Sequence, residues 1–300
     1  MKIFLTGGTG VIGTRAIPAL VAVGHNVTAV ARSSGKAGLV RSLGASPIEV
    51  DLFDAAEVAA AVVGHEVVVN LATNIPPMSR AARASAWVTN DRLRTEASRH
   101  LVDAALAAGA CRYVQESICF PYQDQGDAWI DESGAVDHVG PFASAGVAES
   151  EAARFGAAGG DGVVLRFAQF YAPDSVHVRG FNALVRRRVN PFLGPPDSYS
   201  SFIHAADAGS AVAAALAVPG GVYNVGDDEP VTRADAGRIV ADTLDVKPPK
   251  ALPRVLLATT PASAKLMMRS LRVSNRQFRE ATGWAPAHPS IRGSWPADAR

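Results

Sequence analysis

The chain has 300 residues, of which 48% are hydrophobic and 19% charged, with a formal net charge of +1. That composition supports a sizeable core and excludes a disordered chain, and the near-neutral balance gives no reason to expect nucleic acid or a membrane surface as partner. No uninterrupted apolar stretch is long enough to span a bilayer, and Met1 leads straight into an expected strand with no room for a signal peptide, so a soluble, cytoplasmic protein is expected.

The first strand, over 3–5, runs into Thr6-Gly7-Gly8-Thr9-Gly10-Val11-Ile12-Gly13, with a helix opening at Val11. Gly7, Gly10 and Gly13 give G-x-x-G-x-x-G, a variant of the dinucleotide fingerprint. A glycine turn lets the backbone approach a pyrophosphate, and the helix after it presents free N–H groups and a positive dipole end. The last glycine lets that helix pack closely on the strand. Gly7, Thr9, Gly10, Val11 and Ile12 are therefore candidate cofactor residues.

Strand and helix then alternate, the pattern of a parallel sheet covered on both faces. Strands are expected over 26–31, 47–50, 66–71, 112–118 and 163–167, and helices over 36–43, 55–63, 85–108 and 144–157. Beyond 167, Pro173, Gly180, Pro191, Gly194, Pro195 and Pro196 indicate an irregular stretch. A helix over 206–217, a strand over 222–225 and helical stretches near 233–244, 255–270 and 275–281 complete the reading. The fold class is α/β: a Rossmann-fold doubly wound parallel sheet with a smaller C-terminal substrate-binding part. The core is placed at 1–168 and 201–226, the substrate-binding part at 169–200 and 227–300. Cys111 and Cys119 flank one expected strand and would stand about 26 Å apart at ~3.3 Å per residue, too far for a disulfide.

The end of the second strand bears on cofactor choice. An acidic residue there serves a ribose 2′-OH, whereas a 2′-phosphate calls for cationic and hydroxyl donors. Arg32, Ser33, Ser34 and Lys36 suit the phosphate, which favours NADP over NAD; a solvated loop with an accidental arginine is the competing reading. Asp51-Leu52 could meet the adenine amine or form only a turn cap, and Leu71-Ala72-Thr73 lies where the chain passes the cofactor's second ribose.

Together these segments resemble the extended short-chain dehydrogenase/reductase family of the NAD-dependent epimerase/dehydratase type. Thr6–Gly13 is similar to its T-G-x-x-G-x-x-G, Asp51-Leu52 to its D-L, and Asn70-Leu71-Ala72-Thr73 to its N-x-A-A. The segment from Leu165-Arg166-Phe167 to Tyr171-Ala172-Pro173 resembles L-R-x-x-x-x-Y-G-P. Phe202-Ile203-His204 with Asp207 resembles F-I-H-V-D-D, and Val222-Tyr223-Asn224-Val225-Gly226 the Y-N-V-G strand. The resemblance implies an NADPH-dependent oxidoreductase and adds Phe167 and Gln169 to the cofactor candidates.

The departures narrow the chemistry. Members of the family use a Ser with a Y-x-x-x-K pair, in which the lysine lowers the tyrosine's pKa. Ser117 matches the serine, with Glu116 where a second serine is common. No tyrosine has a lysine four residues later, because Tyr113, Tyr122, Tyr171, Tyr199 and Tyr223 are followed at that spacing by Ser117, Gly126, Ser175, Ile203 and Asp227. Where the pair belongs the chain reads Pro141 to Glu149 without tyrosine or lysine. Two serines, Ser200 and Ser201, precede Phe202 where sugar-nucleotide members carry an arginine; the run Arg186-Arg187-Arg188 could compensate but reads more readily as a solvated helix end.

No histidine, cysteine or acidic group has metal-ligand spacing, and His204 reads as a packed structural residue. Ile75, Pro76, Pro77, Met78, Trp87, Phe120, Phe142, Phe170 and Phe192 are candidate pocket residues and favour an apolar substrate. The expected activity is NADPH-dependent reduction of a ketone on an apolar polycyclic, angucyclinone-like aromatic polyketide in antibiotic biosynthesis, with Ser117 and Tyr122 as catalytic candidates and a phenol of the substrate assisting. A non-catalytic NADP(H)-binding protein and a sugar-nucleotide epimerase or dehydratase are the alternatives.

Overall fold

A computed structural model describes residues 1–77, 80, 83–250 and 265–297. Its central element is a seven-stranded parallel sheet in the order β3-β2-β1-β4-β5-β7-β11. The strands are β1 Lys2–Thr6, β2 Asn26–Val30, β3 Ser46–Ile48, β4 Val67–Asn70, β5 Arg112–Ile118, β7 Asp161–Phe167 and β11 Gly221–Val225. Strand order reverses between β1 and β4, the switch point at which doubly wound sheets bind ligands. The fully buried Val67-Val68-Val69 of β4 carries the apolar character of a strand covered on both faces.

The helices follow the alternation read from the sequence: α1 Gly13–Ala22, α2 Ser34–Ser42, α3 Ala55–Val62, α4 Val88–Arg92, α5 Ser98–Ala107 and α6 Ala143–Ala157. Asp54 caps α3 by accepting the N–H groups of Ala56 and Glu57 at 2.8 and 3.0 Å. The helix expected over 85–108 is not continuous. A 3₁₀ turn at Ala84–Ala86 precedes α4, and a π-helical turn, Leu93–Ala97, joins α4 to α5. On one face of the sheet, Phe4, Val68, Leu101, Tyr113 and Phe155 pack into a continuous core.

The chain divides into two compact units. The first comprises Met1–Ile118, Pro141–Arg166 and Ala208–Tyr223, the second Cys119–Gly140, Phe167–Asp207 and Asn224–Arg300. The second unit holds three two-stranded pairings: β6 Trp129–Ile130 with β13 Arg272–Val273, β8 Gln169–Tyr171 with β10 Phe202–His204, and β9 Tyr199–Ser200 with β12 Val231–Thr232. Its core gathers Tyr171, Phe181, Phe192, Phe202 and Trp295.

The stretch expected to be irregular contains a regular helix, α7 Val176–Arg186. Val178, Phe181, Asn182 and Val185 form its buried face at helical spacing, and Gly180 sits where an added Cβ would meet nothing. That glycine costs helix propensity but breaks no packing. Helix α8 Ala205–Ala214, α9 Arg233–Thr243 and α10 Arg276–Thr282 match the remaining helical expectations in place. Of the helix expected near 255–270, residues 255–264 lie outside the described residues, and Leu266–Met268 is a single 3₁₀ turn. Cys111 is exposed and Cys119 buried, and the two are not joined in a disulfide. No helix among the described residues is long and apolar enough to cross a membrane.

Candidate functional site

The glycine turn is built by contacts that only glycine permits. At the end of β1 the Thr6 hydroxyl donates to Asn70 Oδ1 at 2.6 Å, tying the tips of β1 and β4 together. Gly7 has φ +71°, and a Cβ there would fall 2.3 Å from the Leu71 carbonyl oxygen. A Cβ on Gly13, where α1 starts, would fall 2.2 Å from the Gly7 carbonyl oxygen. The expected helix start at Val11 is thus two residues early, because Val11 and Ile12 still belong to the turn.

Gly10 differs from its neighbours. Its N–H donates to the Gly7 carbonyl at 2.9 Å, it is exposed, and a Cβ there would approach only the Gly7 oxygen, at 3.2 Å. The N–H groups of Val11 and Ile12 donate to no acceptor among the described residues. Open space above Gly10 beside two unspent donors at the start of a helix is the donor set a pyrophosphate requires. Thr9 is half-buried, Leu71 and Ala72 pack beside Gly7, and Thr73 is exposed.

A second group lies at the tips of β2 and β3. Arg32 and Asp51 line one groove of about 860 Å³, together with Val50, Phe53 and Glu57. Ser33 is the N-cap of α2, its Oγ accepting the Lys36 N–H at 3.4 Å. Asp51 does act as a turn cap: Oδ1 accepts the Phe53 N–H at 3.0 Å, while its own N–H donates to Glu57 Oε2 at 2.8 Å. Leu52 is buried, its carbonyl 3.1 Å from His100 Nδ1.

The hydroxyls of the two catalytic candidates, Ser117 and Tyr122, are both buried and hydrogen-bonded within the protein. Ser117 is 0% exposed and donates to Glu149 Oε1 at 2.6 Å. Arg166 holds the same carboxylate at 3.0 Å through Nε and 2.7 Å through a terminal nitrogen. Tyr122, also 0% exposed, donates to Asn224 Oδ1 at 2.8 Å and packs with Cys119, Ile130, Leu271 and Val273. Local sequence could not reveal either partner, because Glu149 and Asn224 lie 32 and 102 residues away.

Of the other candidates, Phe167 is wholly buried and its carbonyl accepts the Cys119 N–H at 3.0 Å, while Gln169 is half-buried on β8. Phe142 and Phe192 are core residues rather than open pocket walls. Ile75 is exposed, Trp87, Phe120 and Phe170 are half-buried, and Met78 lies outside the described residues.

Sequence reading missed the polar network beneath the strand tips. Asn70 Nδ2 donates to Gln115 Oε1 at 2.9 Å, the Tyr113 hydroxyl donates to the same oxygen at 2.8 Å, and Gln115 Nε2 donates to the Glu116 carbonyl at 2.8 Å. The Glu116 carboxylate in turn grips Arg94, on the π-helical turn, with both oxygens at 2.9 Å. This buried ion pair occupies the place where family members often carry a second serine.

A family model described as NAD(P)H-binding matches residues 7–145. A curated protein of a Streptomyces species, 3-diazoavenalumate denitrifying reductase, is 35% identical over 303 residues, spanning 97% of this chain and 98% of its own length. The chain belongs to this family of NAD(P)-dependent reductases.

Solved structures share the reductase's fold at lower identity. UDP-glucose 4-epimerase of Thermus thermophilus, in complex with NAD, is 23% identical with a TM-score of 0.77, covering 98% of this chain and 96% of its own. UDP-glucuronic acid 4-epimerase of Bacillus cereus, also in complex with NAD, is 18% identical with a TM-score of 0.75, covering 97% and 95%. The reductase is an NAD(P)-dependent oxidoreductase on the epimerase/dehydratase form of the Rossmann fold.

Proposed function

We propose that the reductase replaces the diazonium group of an apolar aromatic substrate with hydrogen, releasing dinitrogen. One observation carries this reading: the hydroxyls of Ser117 and Tyr122 are both spent inside the protein, and the chain has no Tyr–Lys pair. Ketone reduction leaves an alkoxide that must be stabilised and protonated. Removal of dinitrogen makes neither demand. The ring carbon gains a hydride, the carbon–nitrogen bond breaks with its electron pair leaving on nitrogen, and neutral arene and dinitrogen result without a proton donor. Only aromatic diazonium ions persist in water long enough to need such an enzyme. The name of the Streptomyces relative, a denitrifying reductase of a diazo compound, supports the same direction.

Bound NADPH supplies the hydride. In this reading Val11 and Ile12 hold its pyrophosphate through backbone N–H groups, Gly7, Thr9 and Gly10 shape the turn that lets it approach, and Arg32 and Ser33 take the 2′-phosphate. Asp51 and Leu52 meet the adenine, and Leu71, Ala72, Thr73, Phe167 and Gln169 follow the remaining length. The protein's task in the cytoplasm is then to orient the ring and keep water out.

A ketone reductase for an angucyclinone of the simocyclinone type, in antibiotic biosynthesis, is the second reading. It is favoured if a phenol of the substrate hydrogen-bonds its own carbonyl, since an intramolecular partner reaches a high effective concentration and likewise asks nothing of Ser117 or Tyr122. The deciding experiment supplies NADPH deuterated at the transferred position together with aryl diazonium ions or hydroxylated polycyclic ketones. The expected result is one dinitrogen per NADPH, faster than without enzyme, with deuterium on the carbon that lost nitrogen. NADPH oxidation only with the ketones would replace the first reading by the second.

A further inference from the structure

Thr6, Asn70 and Gln115 stand side by side across β1, β4 and β5, as direct partners in the two parallel ladders. The buried polar network they share has a fixed polarity from end to end. At one end the Ala72 N–H, which can only donate, reaches Asn70 Oδ1 at 3.2 Å. At the other the Glu116 backbone carbonyl, which can only accept, takes Gln115 Nε2 at 2.8 Å. Between them Asn70 Nδ2 donates to Gln115 Oε1 at 2.9 Å. We propose that Gln115 is a positioning residue for the nicotinamide half of the cofactor, acting through Asn70 on residues 71–73. The proposal rests on the reading that Leu71, Ala72 and Thr73 follow the cofactor beyond its pyrophosphate.

Neither amide tolerates being turned round. A reversed Asn70 would set its nitrogen against the Ala72 N–H and its oxygen against Gln115 Oε1. A reversed Gln115 would set its oxygen against the Glu116 carbonyl. Each arrangement leaves buried groups unsatisfied, and both side chains are 1% exposed, so water cannot repair it. The other neighbours of Asn70 Nδ2 are the hydroxyls of Ser98 at 3.1 Å and Tyr113 at 3.4 Å. A hydroxyl can donate or accept and therefore selects no orientation. On the Nδ2 side, Gln115 alone among these neighbours does.

The orientation matters because Asn70 is the last residue of β4, and its Oδ1 holds both sides of the cofactor turn. It accepts the Thr6 hydroxyl at 2.6 Å, at the end of β1, and the Ala72 N–H just beyond β4. The Leu71 carbonyl between them fills the space that a Cβ on Gly7 would need. An amide free to rotate would release the Ala72 N–H and let residues 71–73 shift against the glycine turn. The adenine half is spared, since Arg32, Ser33 and Asp51 stand at the tips of β2 and β3.

The test compares Gln115→Met with Tyr113→Phe. Each removes a hydrogen bond at Gln115 Oε1 and should lower the melting temperature, but only the first takes the selecting acceptor from Asn70. Calorimetry measures binding of NADPH and of adenosine 2′,5′-bisphosphate, which lacks the nicotinamide half. Gln115→Met should weaken NADPH by about tenfold and the bisphosphate by less than about twofold, with Tyr113→Phe changing neither. Gln115→Asn, still an amide but one methylene short, should show the same split and serves if Gln115→Met does not fold. Equal weakening of both ligands, a matching NADPH loss in Tyr113→Phe, or unchanged NADPH affinity in the Gln115 variants would overturn the proposal while leaving the cofactor's placement intact. A parent protein that binds neither ligand would instead overturn the placement itself, and the proposal with it.

Discussion

The single hydroxyl proton of Ser117 lies on the line to Glu149 Oε1, 2.6 Å away, and therefore points into the protein. Arg166 keeps that carboxylate in place from its other side. Ser117→Ala should leave kcat within about threefold of the parent. Stability should fall by about 1–2 kcal/mol, because the serine was a buried hydrogen-bond donor. Steady-state kinetics beside denaturant unfolding separates the two effects, and a hundredfold loss of kcat with unchanged stability would restore the serine to catalysis.

Tyr122→Phe should behave in the same way for a different reason. It removes the hydroxyl from Asn224 but keeps the ring against Ile130 and Val273. Retained turnover with a lower melting temperature is expected, and complete inactivity of a folded variant would contradict it.

Within the glycine turn, two substitutions should separate binding from folding. Gly10→Val places its side chain in the open space above the turn and should abolish nucleotide binding while the circular dichroism spectrum and most of the stability persist. Gly13→Ala drives a methyl group into the Gly7 carbonyl and should destabilise the fold itself. Tight NADPH binding by Gly10→Val would place the cofactor elsewhere.

Arg32 should set cofactor preference. A guanidinium contact to a 2′-phosphate is charge-assisted and has no counterpart in NADH, so the parent should bind NADPH more tightly and Arg32→Ala should narrow the difference. Equal affinities in the parent protein would remove Arg32 from the phosphate site.

His177 gives a pH dependence of defined sign. Burial holds its pKa below 6.5, opposed in part by its hydrogen bond to the Phe170 carbonyl. The unfolded chain therefore takes up a proton first as pH falls. The stabilisation is fully present above about pH 6.5 and is lost as pH drops through the lower folded value. Unfolding free energy should decline over that interval, and His177→Gln should flatten the decline; an unchanged slope would show that other groups cause it.

What the sequence reveals depends on how local the cause is. The glycine spacing and the apolar strand expected over 66–71 act over a few residues, and both elements are in place, although the helix after the glycines starts at Gly13 rather than Val11. The α7 helix was hidden because Gly180 reads as a breaker, although it sits on a face where no side chain is needed. The fates of Ser117 and Tyr122 were hidden because a hydroxyl's partner is a matter of tertiary packing. The same holds for His288, which reaches His204 and Asp207 only after some eighty residues of intervening chain have folded.

The π-helical turn Leu93–Ala97 has a consequence for how this chain can vary. A π turn holds one residue more than the α turn it replaces, so α5 runs about 100° out of phase with α4. That offset lets Arg94 face Glu116 while Ser98 meets the amide group of Asn70. Deleting one residue from the turn would give a straighter and more regular helix, yet only one of the two side chains would keep its partner on the strands. Insertions and deletions in this segment are therefore constrained by the polar residues at positions 70 and 116, so gaps here should be rare in relatives that keep both.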